Sequence, residues 1–89
     1  MRLFNNKITI VESSRPRSND NGKVRVYGRA YVDKTFEVGS VWVDRYGNFY
    51  LEQSSKSIRV HGRFPRVTAR STRELAREIR KEFANLCAK

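Results

Sequence analysis

The sequence predicts an α+β fold, in which an antiparallel meander sheet of four or five strands carries one C-terminal helix packed on one face. Residues 23–32 alternate apolar and polar side chains, which is typical of a strand with one buried face. Residues 71–87 instead carry apolar side chains at helical spacing. Because 89 residues have room for one small hydrophobic core, we expect a single basic domain over 1–89, with the strands within 7–61.

The first strand is predicted over Lys7–Val11, where β-branched residues are concentrated. Residues 1–6 and 13–22 are predicted to be flexible, since 13–22 is rich in turn-forming residues and almost free of apolar ones. In the next strand, the predicted core face consists of Val24, Val26, Ala30 and Val32. Its opposite face alternates basic and aromatic residues, namely Lys23, Arg25, Tyr27, Arg29 and Tyr31.

Residues 35–44 form the third predicted strand, whose apolar residues change from even to odd positions at Gly39. One extra residue there, a β-bulge, brings both sets to the same face. The segment Asp44–Gly47 fits a type I turn, and counting back from this turn places Trp42 opposite Tyr50 on the outward face. Without the bulge Trp42 joins the core, and the sequence leaves both alternatives open.

Residues 57–61 are predicted to form a last short strand, with Arg59 and His61 pointing outward. The helix then begins with a capping box formed by Ser71 and Glu74. Its buried stripe is predicted to consist of Leu75, Ile79, Phe83 and Leu86, with Cys87 packing beside it. The arginines of a neighbouring flank, Arg73, Arg77 and Arg80, are predicted to be solvated and salt-bridged to helix glutamates.

The charge balance indicates a polyanionic partner. Nineteen basic residues against nine acidic ones give a net charge of +10, and residues 53–70 contain no carboxylate. Charge of this size concentrates nucleic acid, the usual polyanion inside cells. One cysteine and one histidine exclude an internal disulfide and a structural zinc site, so we expect no metal and no cofactor. Residues 1–7 lack the apolar segment of a signal peptide, and no apolar run has membrane-spanning length; we therefore expect a cytoplasmic protein without a membrane partner.

We expect a non-catalytic nucleic-acid-binding protein that uses the basic and aromatic outward face of its sheet, where arginine contacts phosphates and aromatic rings contact bases or sugars. The predicted site residues are Arg25, Tyr27, Arg29, Tyr31, Trp42, Tyr50, Arg59, His61, Arg63 and Arg66. If the sheet curls into a barrel, or if residues 1–6 fold over it, the same rings form a second minor core instead.

Two alternatives belong to other functional classes. A small viral or plasmid-type inhibitor that docks on an acidic host protein needs the same combination of basic residues and exposed aromatic rings. A metal-independent ribonuclease would use His61 as its acid or base, with Arg59 and Arg63 stabilising the transition state. The sequence offers no second proton-transfer partner for His61, so we expect no catalysis.

Part of the chain resembles a known family of DNA-binding domains. The motifs are Gly39-Ser40-Val41, then Tyr-Gly-Asn-Phe-Tyr at 46–50, and the segment 68–76 that contains the capping box. With these motifs, residues 39–85 resemble the arm-binding domains at the front of tyrosine integrases. The resemblance implies a three-stranded sheet backed by one helix and laid into the major groove of double-stranded DNA. It also implies that the reading face holds Trp42, Tyr50, Arg59 and His61, and it favours DNA over RNA as the ligand.

Overall fold

A computed structural model describes residues 7–13, 18–19 and 24–87, with the backbone alone described at 18, 19, 24, 86 and 87. Residues 1–6 and most of 13–22, which the sequence predicts to be flexible, lie outside the described residues. The predicted packing of Leu86 and Cys87 also lies outside them, as do the predicted orientations of Lys23 and Val24.

The described chain folds into one antiparallel sheet and two helices. The strands are β1 (Ile8–Glu12), β2 (Ser18–Asn19), β3 (Val24–Val32), β4 (Phe36–Asp44), β5 (Phe49–Gln53) and β6 (Thr68–Ala69). The helices are α1 (Ser55–His61) and α2 (Thr72–Cys87). The strand order is β1-β3-β4-β5-β6, and the short strand β2 pairs with β3. The predicted α+β meander with a C-terminal helix is therefore confirmed, with α1, β2 and β6 added to it.

The predicted bulge in β4 is confirmed, one position earlier than expected. Ala30 pairs with Gly39 and Tyr31 pairs with Glu37, which leaves Val38 as the extra residue. This extra residue brings the apolar side chains on both sides of Gly39 to the face covered by α2.

The register of the β4–β5 hairpin is also as predicted. Trp42 pairs with Tyr50, and the Asp44 N–H donates to the Asn48 carbonyl at 3.0 Å. Gly47 adopts a φ of 86°, the left-handed conformation that this turn requires. Trp42 and Tyr50 therefore point away from α2, on what we call the outward face of the sheet.

A second bulge, in β3, was not predicted and reverses the faces of that strand. Val26 pairs with Trp42 and Gly28 pairs with Val41, so Tyr27 is the extra residue. Gly28 is needed at this point because a Cβ atom there would overlap the backbone carbonyl of Val11 on β1. The prediction of Val26 as a core residue is consequently wrong, since its partner Trp42 lies on the outward face.

The core lies between the sheet and α2. Leu75 and Ile79 are fully buried, and Phe83 packs beside them, as predicted. The predicted cap at Ser71 also forms, since Ser71 Oγ accepts a hydrogen bond from Glu74 N at 3.1 Å; the Glu74 side chain reaches back as expected but accepts from Arg70 N at 3.0 Å, one residue before the N-cap.

The predicted strand at 57–61 is wrong, because these residues belong to α1. Ser54 caps the helix by accepting a hydrogen bond from Ser57 N at 3.0 Å, and Gly62 ends it with a φ of 90°. The inward residues are Ser57 and His61, one helical turn apart, whereas Val60 is 62% exposed.

Candidate nucleic-acid interface

The outward face of the sheet brings together only some of the predicted site residues. These are Arg29, Tyr31, Trp42 and Tyr50. The face is less basic than predicted, because carboxylates occupy it as well. Arg29 forms an ion pair with Glu37 at 3.5 Å, and the Trp42 indole N–H donates to Glu52 at 2.9 Å.

Arg25 and Tyr27 lie on the opposite face, so their predicted place in a sheet-borne binding surface is wrong. Arg25 pairs with Val43, whose side chain is buried on the side of α2. The ring of Tyr27 packs against the core and meets Phe49 edge-to-face at 5.3 Å. The bulge at Tyr27 is the physical cause, because one extra residue exchanges the two faces of a strand.

His61 lies on α1 and faces the core, which contradicts its predicted place on the outward face. Its ring sits between Phe36 and Phe83, with centroid distances of 5.0 and 4.7 Å. Its Nδ1 atom lies 3.2 Å from Ser57 Oγ, and burial lowers the pKa of the imidazole below its usual 6.5. Arg59 is exposed on the same helix, so the predicted outward pair of Arg59 and His61 does not form.

Trp42 and Tyr50 line a shallow open cavity on the outward face, which we call the Trp42 hollow. Its volume is about 370 Å³. The lining residues are Trp42, Asp44, Tyr50, Leu51, Arg66 and Val67. Arg66 reaches the hollow because Leu51 N donates to the Val67 carbonyl at 3.1 Å, which holds the segment before β6 against β5.

Asp44 fixes the ring of Tyr50. Its carboxylate accepts hydrogen bonds from Tyr46 N at 2.9 Å and from Asn48 N at 3.0 Å, and the Tyr50 hydroxyl donates to it at 2.7 Å. These donors, with Asn48 N first in effect, hold the pKa of Asp44 well below its usual range. The hydrogen bond to Asp44 in turn raises the pKa of Tyr50.

Exposed arginines run from α1 to the middle of α2, and we call them the arginine series. Its members are Arg59, Arg63, Arg66, Arg70, Arg73, Arg77 and Arg80. Within the described part of the chain, none of these side chains forms an ion pair or a hydrogen bond. The predicted salt bridges of the α2 arginines to helix glutamates are therefore not found among the described residues: Glu74 caps the helix, and Glu78 pairs with Lys81 at 3.2 Å.

The two flanks of α2 carry opposite charges. At 3.6 residues per turn, one flank consists of Arg73, Arg77 and Arg80. The other flank consists of Glu74, Glu78 and Glu82. The sequence prediction omitted Arg70 and the arginine flank from the site. Two features of the sequence indicate this flank: helical spacing places its arginines on one side of α2, and the capping role of Glu74 leaves that glutamate unavailable for an ion pair.

Comparisons of this chain with protein-family models, with curated proteins and with solved structures find no match. The resemblance to integrase arm-binding domains therefore stays a prediction. No helix of the described residues combines the length and the apolar character that crossing a membrane requires. Over the same residues, no cluster of three or more histidine, cysteine, aspartate or glutamate side chains has a metal-binding arrangement.

Proposed function

We propose that this protein is a non-catalytic nucleic-acid-binding protein of the cytoplasm, with DNA favoured over RNA, and that the arginine series supplies its main contact surface. The observation that carries the proposal is a row of exposed guanidinium groups without carboxylate partners in the described chain. Guanidinium groups bind phosphate oxygens in a bidentate way, and each such contact releases counterions from the nucleic acid.

The carboxylates near the arginine series support this reading, because they are occupied elsewhere. Asp44 is held by the β4–β5 turn, Glu52 accepts from Trp42, and Glu74 caps α2. A merely solubilising surface has basic and acidic side chains that pair with one another, whereas here no arginine of the series forms an ion pair with a described carboxylate. A polyanion is the ligand that such unpaired guanidinium groups attract.

Binding can be tested by fluorescence anisotropy of labelled duplex DNA, single-stranded DNA and RNA of one sequence, each titrated at several salt concentrations. We expect Arg66→Ala and Arg70→Ala each to reduce the slope of log affinity against log salt by about 1. Arg29→Ala is the matched control, because Arg29 is paired with Glu37 and should leave the slope unchanged.

Two outcomes contradict the proposal. One is the absence of binding to all three nucleic acids at low salt, which would favour the alternative of an acidic protein partner for the arginine series. The other is a salt slope that neither Arg66→Ala nor Arg70→Ala changes. If the RNA binds more tightly than both DNA ligands, only the proposed preference for DNA is contradicted, and the proposed nucleic-acid binding stands.

A further inference from the structure

The Trp42 hollow presents aromatic surface whose polar atoms are already satisfied. The Trp42 indole N–H donates to Glu52 at 2.9 Å, and the Tyr50 hydroxyl donates to Asp44 at 2.7 Å. Both bonds hold the side chains in one orientation, so little conformational entropy is lost when a ligand packs against the rings. What the rings offer to a ligand is therefore their apolar and π surface.

Arg66 places a cation at the same hollow. Its side chain is exposed, and no described carboxylate forms an ion pair with it. Its charge is close enough to Tyr50 to favour the ionised form of the phenol slightly, against the larger opposite effect of Asp44. The hollow thus combines a pair of fixed rings with a free guanidinium group.

We propose that the Trp42 hollow binds an unpaired nucleotide, with its base against the rings of Trp42 and Tyr50 and its phosphate at Arg66. This inference rests on the proposed nucleic-acid binding and names the form of the ligand at this site. In a duplex the faces of a base are covered by its neighbours, so only an unpaired base can stack on protein side chains. The hollow's volume of about 370 Å³ falls within the size range of small-ligand sites.

A second hollow lies next to the Trp42 hollow and extends the path that a bound nucleic-acid strand would follow. It has a volume of about 260 Å³ and lies on the other side of Tyr50, where Thr68 and Arg70 line it. Because Thr68 pairs with Tyr50 across β5 and β6, Arg66 and Arg70 flank the Tyr50 ring along the edge of the sheet. A backbone that passes this edge meets one arginine before and one after the stacked base.

The intrinsic fluorescence of the protein tests this inference, because the chain contains one tryptophan and its emission reports on this hollow alone. The first ligand is a thymidine strand of about 12 nucleotides, which lies within the site sizes of single-strand binders. The others are an abasic strand of the same length, the corresponding duplex, and a uridine strand as the RNA counterpart. Anisotropy of each labelled ligand gives the fraction bound, so emission is compared at equal occupancy.

We expect the thymidine and uridine strands to quench Trp42 emission, and the abasic strand and the duplex to bind without quenching it. Equal quenching by the abasic strand or the duplex overturns the inference, and so does unchanged emission at saturation with the thymidine strand. If no ligand changes the anisotropy, the proposed function itself fails, which is a separate result.

Substitutions on the outward face separate the hollow from the rest of the sheet. Tyr50→Leu should weaken binding of the thymidine strand by roughly 5- to 150-fold, and Tyr50→Phe should retain most of the affinity because it keeps the ring. Tyr31→Leu, on the same face but outside the hollow, is the matched comparison: the thymidine strand should still quench Trp42 emission, and its affinity should fall less than in Tyr50→Leu. An equal loss in Tyr31→Leu and Tyr50→Leu contradicts the assignment, and the emission test on the unaltered chain decides it if Tyr50→Leu does not fold.

Discussion

Replacing Phe83 with leucine tests the aromatic contacts that hold α1 against α2. The ring of Phe83 meets His61 at a centroid distance of 4.7 Å and Phe64 at 5.3 Å, both edge-to-face. Each such pair contributes roughly 0.5–1.5 kcal/mol beyond the area that it buries. Leucine keeps most of the apolar volume at this site, which is 4% exposed, but loses both ring contacts. We therefore expect the free energy of unfolding to fall by roughly 1–3 kcal/mol.

This loss is large enough to measure in a chain of this size. A change of 1 kcal/mol moves the melting temperature of a domain of up to 100 residues by about 4–8 °C, so Phe83→Leu should lower it by roughly 4–24 °C. Urea unfolding followed by far-ultraviolet circular dichroism gives the same loss as a free energy.

A double-mutant cycle identifies the contact that is responsible. We expect Phe83→Leu and His61→Leu to be coupled by roughly 0.5–1.5 kcal/mol, because their rings touch. Val43→Ala is the control partner, since Val43 is buried but lies outside the core cluster that contains Phe83, and its effect should add to that of Phe83→Leu. If the coupling between positions 61 and 83 does not exceed the additivity error of about 0.5 kcal/mol, the described docking of α1 on α2 is refuted.

Three further changes test hydrogen bonds and titrating groups of the described chain. Burial lowers the pKa of His61, so the unfolded chain binds more protons than the folded one, and the urea midpoint should fall as the pH drops below 6.5. His61→Leu should make the midpoint depend less on pH. If the variant shows the same pH dependence as the unaltered chain, the buried position of the ring is contradicted. The pKa of Asp44 is lowered, so its contribution to stability is present above pH 3.8 and is lost as the pH falls from there. Asp44→Asn should therefore lower stability at neutral pH. In an ultraviolet titration it should also return the pKa of the Tyr50 phenol towards its usual 10.0, and a pKa that stays raised would refute the hydrogen bond between Tyr50 and Asp44. Gln53→Ala removes the acceptor of the Phe64 N–H and should cost about 1–3 kcal/mol in urea unfolding, whereas a loss within measurement error would show that water replaces it.

The elements that could be predicted are those in which several local signals agree. In the β4–β5 hairpin, the turn ending at Gly47 predicts the pairing of Trp42 with Tyr50, and the phase change at Gly39 agrees with it when one extra residue is placed there; the structure has both the pairing and the bulge. In α2, the cap at Ser71 and the apolar spacing define the same helix. Agreement between a terminating signal and a periodicity leaves little freedom for the chain.

The elements that could not be predicted are those in which a short pattern has two solutions. In the segment of α1, alternation over five residues fits a strand, but Ser54 and Gly62 at its ends provide helix caps that favour the helical turn. The inward residue Ser57 is small and polar, and its buried hydroxyl accepts a hydrogen bond from Gln53 at 3.0 Å and lies 3.2 Å from His61 Nδ1. The spacing of apolar residues does not predict such a contact, because the contact depends on a side chain from β5.

The bulge at Tyr27 has a different cause, because the alternation in β3 is regular and gives no local sign of an extra residue. The bulge depends on how closely β1 approaches Gly28, which is a relation between strands that are distant in sequence. A one-residue shift of this kind moves Arg25 and Tyr27 away from the outward face while leaving Arg29 and Tyr31 on it. The candidate site is consequently displaced towards β5 and β6, where the arginine series begins.

This displacement links the fold to the proposed function through the acidic residues. Most of the described carboxylates have a role in local structure. They accept hydrogen bonds in turns and at a helix cap, orient aromatic rings or form an ion pair with one neighbouring cation. These residues are Asp33, Glu37, Asp44, Glu52, Glu74 and Glu78. A carboxylate engaged in a cap or a turn is fixed in place, so it does not form an ion pair with an arginine elsewhere. The seven arginines of the series are therefore left without an ion pair among the described residues, on the surface that runs past the Trp42 hollow to the arginine flank of α2. Charge that is unpaired in the free protein costs little while it is solvated, and it becomes binding free energy when a polyanion releases its counterions.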